Sequence, residues 1–431
     1  MSHITVIGAG ITGITTAYAL RRLGYEVTVL DRQFHPARET SFANGRQLSA
    51  CNAEVWNSVA TVLKGIKWML RKDAPLLLNP SFSWHKYSWL GEFAAAIRDY
   101  RTNTLETVRL AIEARRYLFA IAEGEGIEFD LEKCGILHIY LDEASYAQAA
   151  TTNALLNEVD LERYAVTPQD IRSIERTLTG TYFGGFYCPS DATGAIHKFT
   201  RGLAKACLAQ GVRFVHGVQV GRFDARPDGV SLVYTATEGN RETASCHCDA
   251  IVVCAGVGSR ALAAKAGDRI NIYPVRGSSI AVHLDDEASV KGALWVSLLD
   301  ESAKIVTSRL GEDRFRIAGT AEFNGHNKDI RDDRVEPLIR WARANFRIAT
   351  SRVTPWAGLR PMMPNMMPRI FQGRRSRVFY NTGHGHLGWT LSAATAESAS
   401  ALLTPNSPGQ PAPARRHGLR SDVSGPTERC R

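Results

Sequence analysis

Gly8-Ala9-Gly10-Ile11-Thr12-Gly13 constrains this chain more than any other feature. His3 to Ile7, just ahead of it, is a short β-rich run, and Ile14, Ala17, Tyr18 and Leu20 follow at helical spacing. Gly24 stands where that helix would stop. Tyr25 to Leu30 repeats the buried-strand pattern and ends in Asp31, 18 positions after the last glycine. A strand, a glycine turn, a helix and a second strand closed by an acid form a βαβ unit suited to a dinucleotide. Gly8 permits the tight turn, Gly10 lets backbone approach a pyrophosphate, and Gly13 lets the helix pack close on the strand. The positive end of the helix then faces the phosphates, with Val6, Ile7, Ala9, Ile11 and Thr12 around them. Asp31, followed by Arg32, would accept hydrogen bonds from ribose hydroxyls and repel a 2′-phosphate, which disfavours NADP.

Composition narrows the class further. A chain of 431 residues has room for two or three domains and a large core. It contains no apolar run of ~18 residues, so no transmembrane helix is expected. The start lacks a basic region and leads straight into the glycine turn, which argues against a cleaved signal peptide. The net charge is +9, and the last stretch carries five arginines against Asp422 and Glu428. No Lys/Arg block interleaved with aromatics appears, so no nucleic-acid partner is expected. The cysteines are scattered. Cys246 and Cys248 are the one close pair, a poor zinc site, so no metal is expected and the thiols read as reduced, in a cytoplasmic protein.

Further along, residues 104–125, 144–158 and 198–210 read as helices. Strand-like runs occupy 212–223, 230–235, 249–255, 270–283, 303–308 and 314–319. These do not alternate as one wound sheet, which suggests a second, sheet-containing domain interleaved with the first. Residues 403–431, rich in Pro, Gly, Ser and Arg, read as a disordered basic tail. The small polar loop 38–49, with Thr40, Ser41 and Asn44, offers donors to a pyrophosphate and a flavin. Asp249 to Ala255 is a strand running into Ala255-Gly256, a second close backbone approach. Gly383-His384-Gly385-His386-Leu387-Gly388 opens a helix over Trp389–Leu403, and its free N–H groups suit negative charge.

Taken together, VIGAGITGITTAYAL, EVTVLDR, ETSFANGRQLS, LKGIKWMLRKDAPL, YPVRG, AGLRPMMP and NTGHGHLGWT resemble the FAD-dependent D-amino-acid oxidase superfamily, on its bacterial D-amino-acid dehydrogenase branch. The resemblance covers nearly the whole chain except the tail. It implies an α/β fold with a Rossmann-like FAD-binding domain (1–52, 190–270 and 352–402). Interleaved with it would be an α+β substrate domain on a mixed sheet (53–189 and 271–351). It implies non-covalent FAD, contacted by Gly8, Gly10, Gly13, Asp31, Thr40, Ser41, Asn44 and Gly256, with Val220 at the adenine. Gly383, His384, Gly385, Leu387 and Gly388 would sit at the pyrimidine side of the flavin. Arg360 would hold the substrate carboxylate in a two-pronged grip. Tyr273 and Arg276 read either as pocket residues or as support for the sheet. His197, His384 and His386 are candidates for proton transfer.

The sequence departs from that family at Pro364-Asn365-Met366-Met367-Pro368, where Pro-Asp-Gly-x-Pro is usual, and at Thr390 to Ala394, where a glycine is frequent. Met362, Met363, Met366 and Met367 read as a pocket wall or as core. The implied reaction is oxidative deamination of D-amino acids to 2-oxo acids and ammonia, with electrons passing to a quinone or another acceptor. The alternatives are oxidation of a secondary amine of the sarcosine, opine or proline type, or a non-catalytic flavin-binding subunit. Trp56, Trp68, Trp84 and Trp89 lie among Lys64, Lys67, Arg71 and Lys72, with Val59, Leu63, Ile66 and Leu70 on one helical face. That pattern reads as a basic amphipathic segment in peripheral contact with the inner membrane, or as packing at the active-site entrance.

Overall fold

The computed structural model describes residues 2–69, 75–239 and 242–404. The tail expected from 403 therefore lies outside the described residues beyond Thr404, as do Leu70, Arg71 and Lys72.

Strand β1 (His3–Ile7), helix α1 (Ile11–Arg22) and strand β2 (Glu26–Leu30) form the opening βαβ unit. Strand β3 (Gln47–Leu48) leads to helix α2 (Val59–Met69), strand β4 (Leu76–Leu78) and helix α3 (Trp84–Ala95). The long helix α4 (Tyr100–Gly124) precedes β5 (Ile136–Tyr140), α5 (Glu143–Asn157) and β6 (Tyr164–Val166). Then come α6 (Pro168–Ile174), β7 (Gly184–Cys188), β8 (Ala192–Thr193) and α7 (Ile196–Ala209). Strand β9 (Arg213–Val215) precedes β10 (Val218–Arg226), β11 (Gly229–Ala236) and β12 (Thr243–Cys248). Strand β13 (Ala250–Val253) and helix α8 (Ser259–Ala266) are followed by β14 (Tyr273–His283), α9 (Glu287–Gly292) and β15 (Ser297–Asp300). Next are β16 (Ile305–Leu310), β17 (Arg314–Phe323), α10 (Asp332–Asn345) and β18 (Val353–Met362). Strands β19 (Arg369–Gln372) and β20 (Val378–Thr382) and helix α11 (Gly388–Ala401) end the fold.

Two large sheets organise these elements. The first runs β19-β20-β13-β1-β2-β9, parallel except at the β19–β20 edge. Its central strands are largely apolar and buried on both faces, because α1, α7 and α11 cover one side and the strands β10 and β11 with α8 cover the other. Helix α11 is buried nearly all round. Its Ala and Ser residues let it lie against both α1 and α4, and the Thr15 hydroxyl donates to the Ser392 carbonyl at 3.2 Å. The second sheet has nine strands, in the order β18-β14-β17-β16-β15-β5-β7-β6, with β4 paired to β17. It is mixed, since β15–β5 and β17–β4 are parallel and the remaining pairs antiparallel. Strands β10, β11 and β12 form a small antiparallel sheet beside the first.

Two details differ from the sequence reading. Residues 353–362, grouped there with the FAD-binding segments, pair along their length with β14 in the nine-stranded sheet. The rungs run from Val353 opposite Val282 to Met362 opposite Tyr273, and this edge carries Arg360 to the junction of the two sheets. The elements β5, β7, β15 and α10 were not anticipated. The first three are short runs inside the core, and α10 has Pro337 inside it.

Arg276 supports this sheet and does not enter the cavity described below. It is fully buried and grips Glu322 with two nitrogens, at 3.1 Å from Nε to Oε1 and 2.5 Å from Nη2 to Oε2. Arg276→Leu should destabilise the fold by about 3 kcal/mol, since it strands a buried carboxylate that only the half-exposed Arg331 could still reach. The shift of the urea midpoint measures this, and no shift would show that Glu322 needs no partner.

Candidate active site

A cavity of about 850 Å³ runs from the glycine turn of the first sheet to the strands of the nine-stranded one. At its first end Gly8 has a φ of +116°, and a Cβ there would lie 2.6 Å from the Cys254 carbonyl oxygen. A Cβ on Gly13 would collide with the Gly8 carbonyl. Both glycines are required by the close meeting of β1, α1 and β13. The Ser41 hydroxyl accepts the Ile11 N–H at 3.0 Å, so the 38–49 loop reaches the start of α1. Asp31 accepts the N–H groups of Ala9 at 2.5 Å and Gln33 at 2.7 Å. Burial raises its pKa and those two hydrogen bonds oppose the rise. Arg32 pairs with Glu39 at 2.6 Å.

The other end is built by β14, β17, β18 and the turn before α11. The Arg360 guanidinium lies over Gly277, where a Cβ would sit 2.5 Å from its Cζ, and donates to the Thr320 carbonyl at 2.8 Å. Enclosed by protein and with no carboxylate partner among the described residues, it is pulled down to about 10 by burial, so it stays charged at neutral pH. His386 also lines the cavity, stacked on Trp56 with ring centroids 4.6 Å apart. Its ring approaches the Asn52 backbone, and neither nitrogen makes a close hydrogen bond among the described residues. Burial, and then the Arg360 charge, hold it at about 3, so the ring is neutral.

The description "FAD dependent oxidoreductase" belongs to the family whose pattern matches residues 3–402. The chain belongs to this family. Among its relatives, D-amino acid dehydrogenase 3 of Mesorhizobium japonicum is 58% identical over 95% of this chain and 98% of its own length. A D-amino acid dehydrogenase of Paramagnetospirillum magneticum is 36% identical over 97% and 98%. The crystal structure of glycine oxidase from Geobacillus kaustophilus superposes with a TM-score of 0.72 at 16% identity, covering 94% of this chain and 95% of that one. The fold is that of these FAD-dependent oxidases, and FAD is the cofactor. The glycine cradle fits it, since Gly8 and Gly13 let β1, α1 and β13 meet closely while Gly10, on the cavity wall, has no side chain to keep a pyrophosphate from the backbone at the start of α1.

The residues expected at FAD line the cavity, except Val6, Ala9 and Gly13, which stand directly behind its wall. Gly383 and Gly385 have φ of +76° and +58°, and a Cβ on either would press into Met363 or Met362. His384 differs from expectation, because its ring points inward and Nε2 bonds the Thr395 hydroxyl at 2.9 Å. Tyr273 lies behind Trp89 and Phe323 rather than on the cavity wall, and its hydroxyl accepts the Gly325 N–H at 3.1 Å. His197 bonds the Ala37 carbonyl at 3.3 Å, away from Arg360. Met362 touches the cavity, while Met363 and Met366 are packed in the core.

Three tryptophans of the 56–89 segment, Trp56, Trp68 and Trp89, line the cavity, whereas Trp84 is 76% exposed. Glu301 and Lys304 also face the cavity and carry no sequence signal, since they read only as a polar turn between two short strands. Cys51, Cys188 and Asp191 meet in the core beside it, but Asp191 already accepts from Arg115 and from the N–H groups of Ala50 and Cys51.

Proposed function

We propose that this protein is an FAD-dependent D-amino acid dehydrogenase that yields a 2-oxo acid and ammonia. The observation that carries the reading is Arg360, an enclosed guanidinium with a single carbonyl partner among the described residues, facing a cavity that begins at a dinucleotide cradle. A carboxylate would supply its missing counter-charge, and the names of the relatives support the D-amino acids. FAD, when bound, supplies the two-electron oxidant. Arg360 grips the substrate carboxylate with two parallel hydrogen bonds and so fixes the position of the adjacent Cα. The neutral His386 and the tryptophan wall restrict water around it. The substrate loses its α-hydrogen with two electrons, a proton leaves its nitrogen, and water then splits the imino acid. The cradle residues Gly8, Gly10, Gly13, Asp31, Thr40, Ser41 and Asn44 would hold the adenosine diphosphate half, with Val220 and Gly256 at its flanks.

Anaerobic bleaching of the bound flavin tests the reading. D-alanine should bleach it and L-alanine should not. Bleaching by sarcosine, an opine or proline alone would favour the secondary-amine reading, and no bleaching at all a non-catalytic subunit. Trichloroacetic acid should release the flavin to the supernatant, because the cavity thiol Cys254 is held protonated by burial, at about 12. Flavin in the pellet would mean covalent attachment.

The acceptor we propose is a lipid-soluble quinone, reached by peripheral contact with the inner membrane from the cytoplasmic side. No helix among the described residues is long and apolar enough to cross a membrane. Helices α2 and α3 line the cavity with Val62, Trp68, Leu90 and Phe93, and this part of the chain exposes Val59, Leu63, Phe82 and Trp84. With Lys64 and Lys67 also exposed, the surface is apolar and basic, as interfacial binding requires. The protein should sediment with anionic vesicles at low salt. Changing Lys64, Lys67, Arg71 and Lys72 to Gln should reduce that fraction severalfold, at about 1 kcal/mol per basic residue. Equal sedimentation of both proteins would remove the membrane role.

A further inference from the structure

The strand order of the nine-stranded sheet fixes what lies next to Arg360. Its guanidinium crosses β14 at Gly277 and reaches β17 at Thr320. On the far side of β17 comes Lys304, whose carbonyl oxygen would lie 3.4 Å from a Cβ on Gly319, and then the Lys304 partner Glu301. Neighbouring strands are about 4.8 Å apart. Lys304 therefore meets the sheet next to the strand where the guanidinium ends, and its side chain, Glu301 and Arg360 line the same cavity.

This pair is not an ordinary surface salt bridge. The Lys304 side chain keeps 44% of its area open and Glu301 25%, and both line the cavity. Lys304 donates to Glu301, and its other two ammonium hydrogens have no partner among the described residues. Backbone conformation sets the pair apart as well. Lys304 and Thr320 have φ of +53° and +63°, left-handed values that non-glycine residues adopt at a cost and that gather at functional sites. His386, whose ring approaches the Asn52 backbone, stands where the charges of Arg360 and Lys304 both reach it.

A cation and an anion held side by side, the ammonium with two hydrogens open and the carboxylate with the neutral His138 ring 3.8 Å from its Oε1, complement a group that carries an acceptor and a donor side by side. A carboxamide does so, with its oxygen toward the ammonium and its NH₂ toward the carboxylate. A side-chain carboxylate would meet Glu301, a side-chain ammonium would meet Lys304, and an alkyl chain would leave both charges desolvated and unanswered. We propose that Glu301 and Lys304 form the side-chain site of the substrate pocket and select amino acids ending in a carboxamide, such as D-glutamine. This rests on the amino-acid reading of Arg360.

Four unreactive probes test it on the FAD-loaded enzyme: glutaramate, glutarate, 5-aminopentanoate and pentanoate. Each keeps the carboxylate for Arg360, lacks the reacting amine, and differs only at the far end. Binding is read from perturbation of the flavin absorbance. Glutaramate should bind at least about tenfold tighter than the other three, the factor for one hydrogen bond to a charged group. Glu301→Gln should turn the preference toward glutarate, and Lys304→Gln toward 5-aminopentanoate. Pentanoate binding as tightly as glutaramate to the unaltered enzyme would overturn the proposal, whether or not the variants fold. So would variants that weaken all four probes alike, or a Glu301→Gln that slows D-glutamine and D-norvaline equally while the probes keep their order, since Glu301 would then serve the amine. If no D-amino acid bleaches the flavin but the probes keep the predicted order, the D-amino acid reading fails and the side-chain site stands.

Discussion

Arg360→Lys should lower kcat/KM on an amino-acid substrate by roughly 10- to 100-fold and leave the FAD content of the purified protein unchanged. Lysine keeps a positive charge but loses the planar fork, so one of two charge-assisted hydrogen bonds disappears, at about 1.5–3 kcal/mol. Arg360→Ala removes both and should reduce kcat/KM by roughly 10²- to 10⁴-fold. The flavin should stay because the arginine sits at the strand edge formed by β14 and β18, whereas the cradle is built by β1, α1 and the 38–49 loop. Its one side-chain bond among the described residues goes to the Thr320 carbonyl, so the fold loses little. Flavin absorbance at equal protein concentration separates the two effects. A kcat/KM within twofold of the unaltered enzyme would remove Arg360 from substrate binding.

The second large effect is expected at the other end of the cavity. Gly13→Ala should give protein that purifies largely colourless and melts several degrees lower. The added methyl would occupy the position of the Gly8 carbonyl oxygen, with the Cys254 Cβ only 3.4 Å away. Overpacking of a core costs about 1–3 kcal/mol when side chains can yield, and here the obstacle is backbone. Relief requires α1 to move off β1, which also moves the Ile11 N–H away from Ser41 and opens the cradle. A helix N-terminus acts on a phosphate only within its first turn, so a small displacement is enough to lose FAD. A yellow protein with normal flavin content and an unchanged Tm would mean that the helix has room that this structure denies it.

The cradle was legible because it is local. Within Gly8 to Asp31 each requirement of a dinucleotide turn falls on a fixed number of residues, and the strand-helix-strand pattern on either side has a strong period. The 104–125 and 198–210 helices were readable for the same reason, and they appear at Tyr100–Gly124 and Ile196–Ala209. Strands β5 and β15 were not readable. Each is a short run, ILHIY or SLLD, buried along its whole length, with no alternation to tell strand from buried helix. The two histidines of the 383–388 turn looked equivalent in sequence. The left-handed glycines on either side of His384 turn it toward Thr395 in the core and send His386, two residues later, to Trp56 in the cavity.

By itself the sequence determined the cofactor class, the glycine cradle and the arginine most suited to a carboxylate, because each depends on residue type at short spacing. Only the tertiary structure decided what faces Arg360. Tyr273, three residues from Arg276, is on the same strand but behind the wall, and Arg276 is locked to Glu322. Glu301 and Lys304, some sixty residues earlier in the chain, come to the cavity because the β15–β16 turn that carries them is set beside β17, which only β14 separates from β18 in the sheet. Sheet order is set by long-range burial of apolar faces, and no local spacing records which turn will end beside which strand.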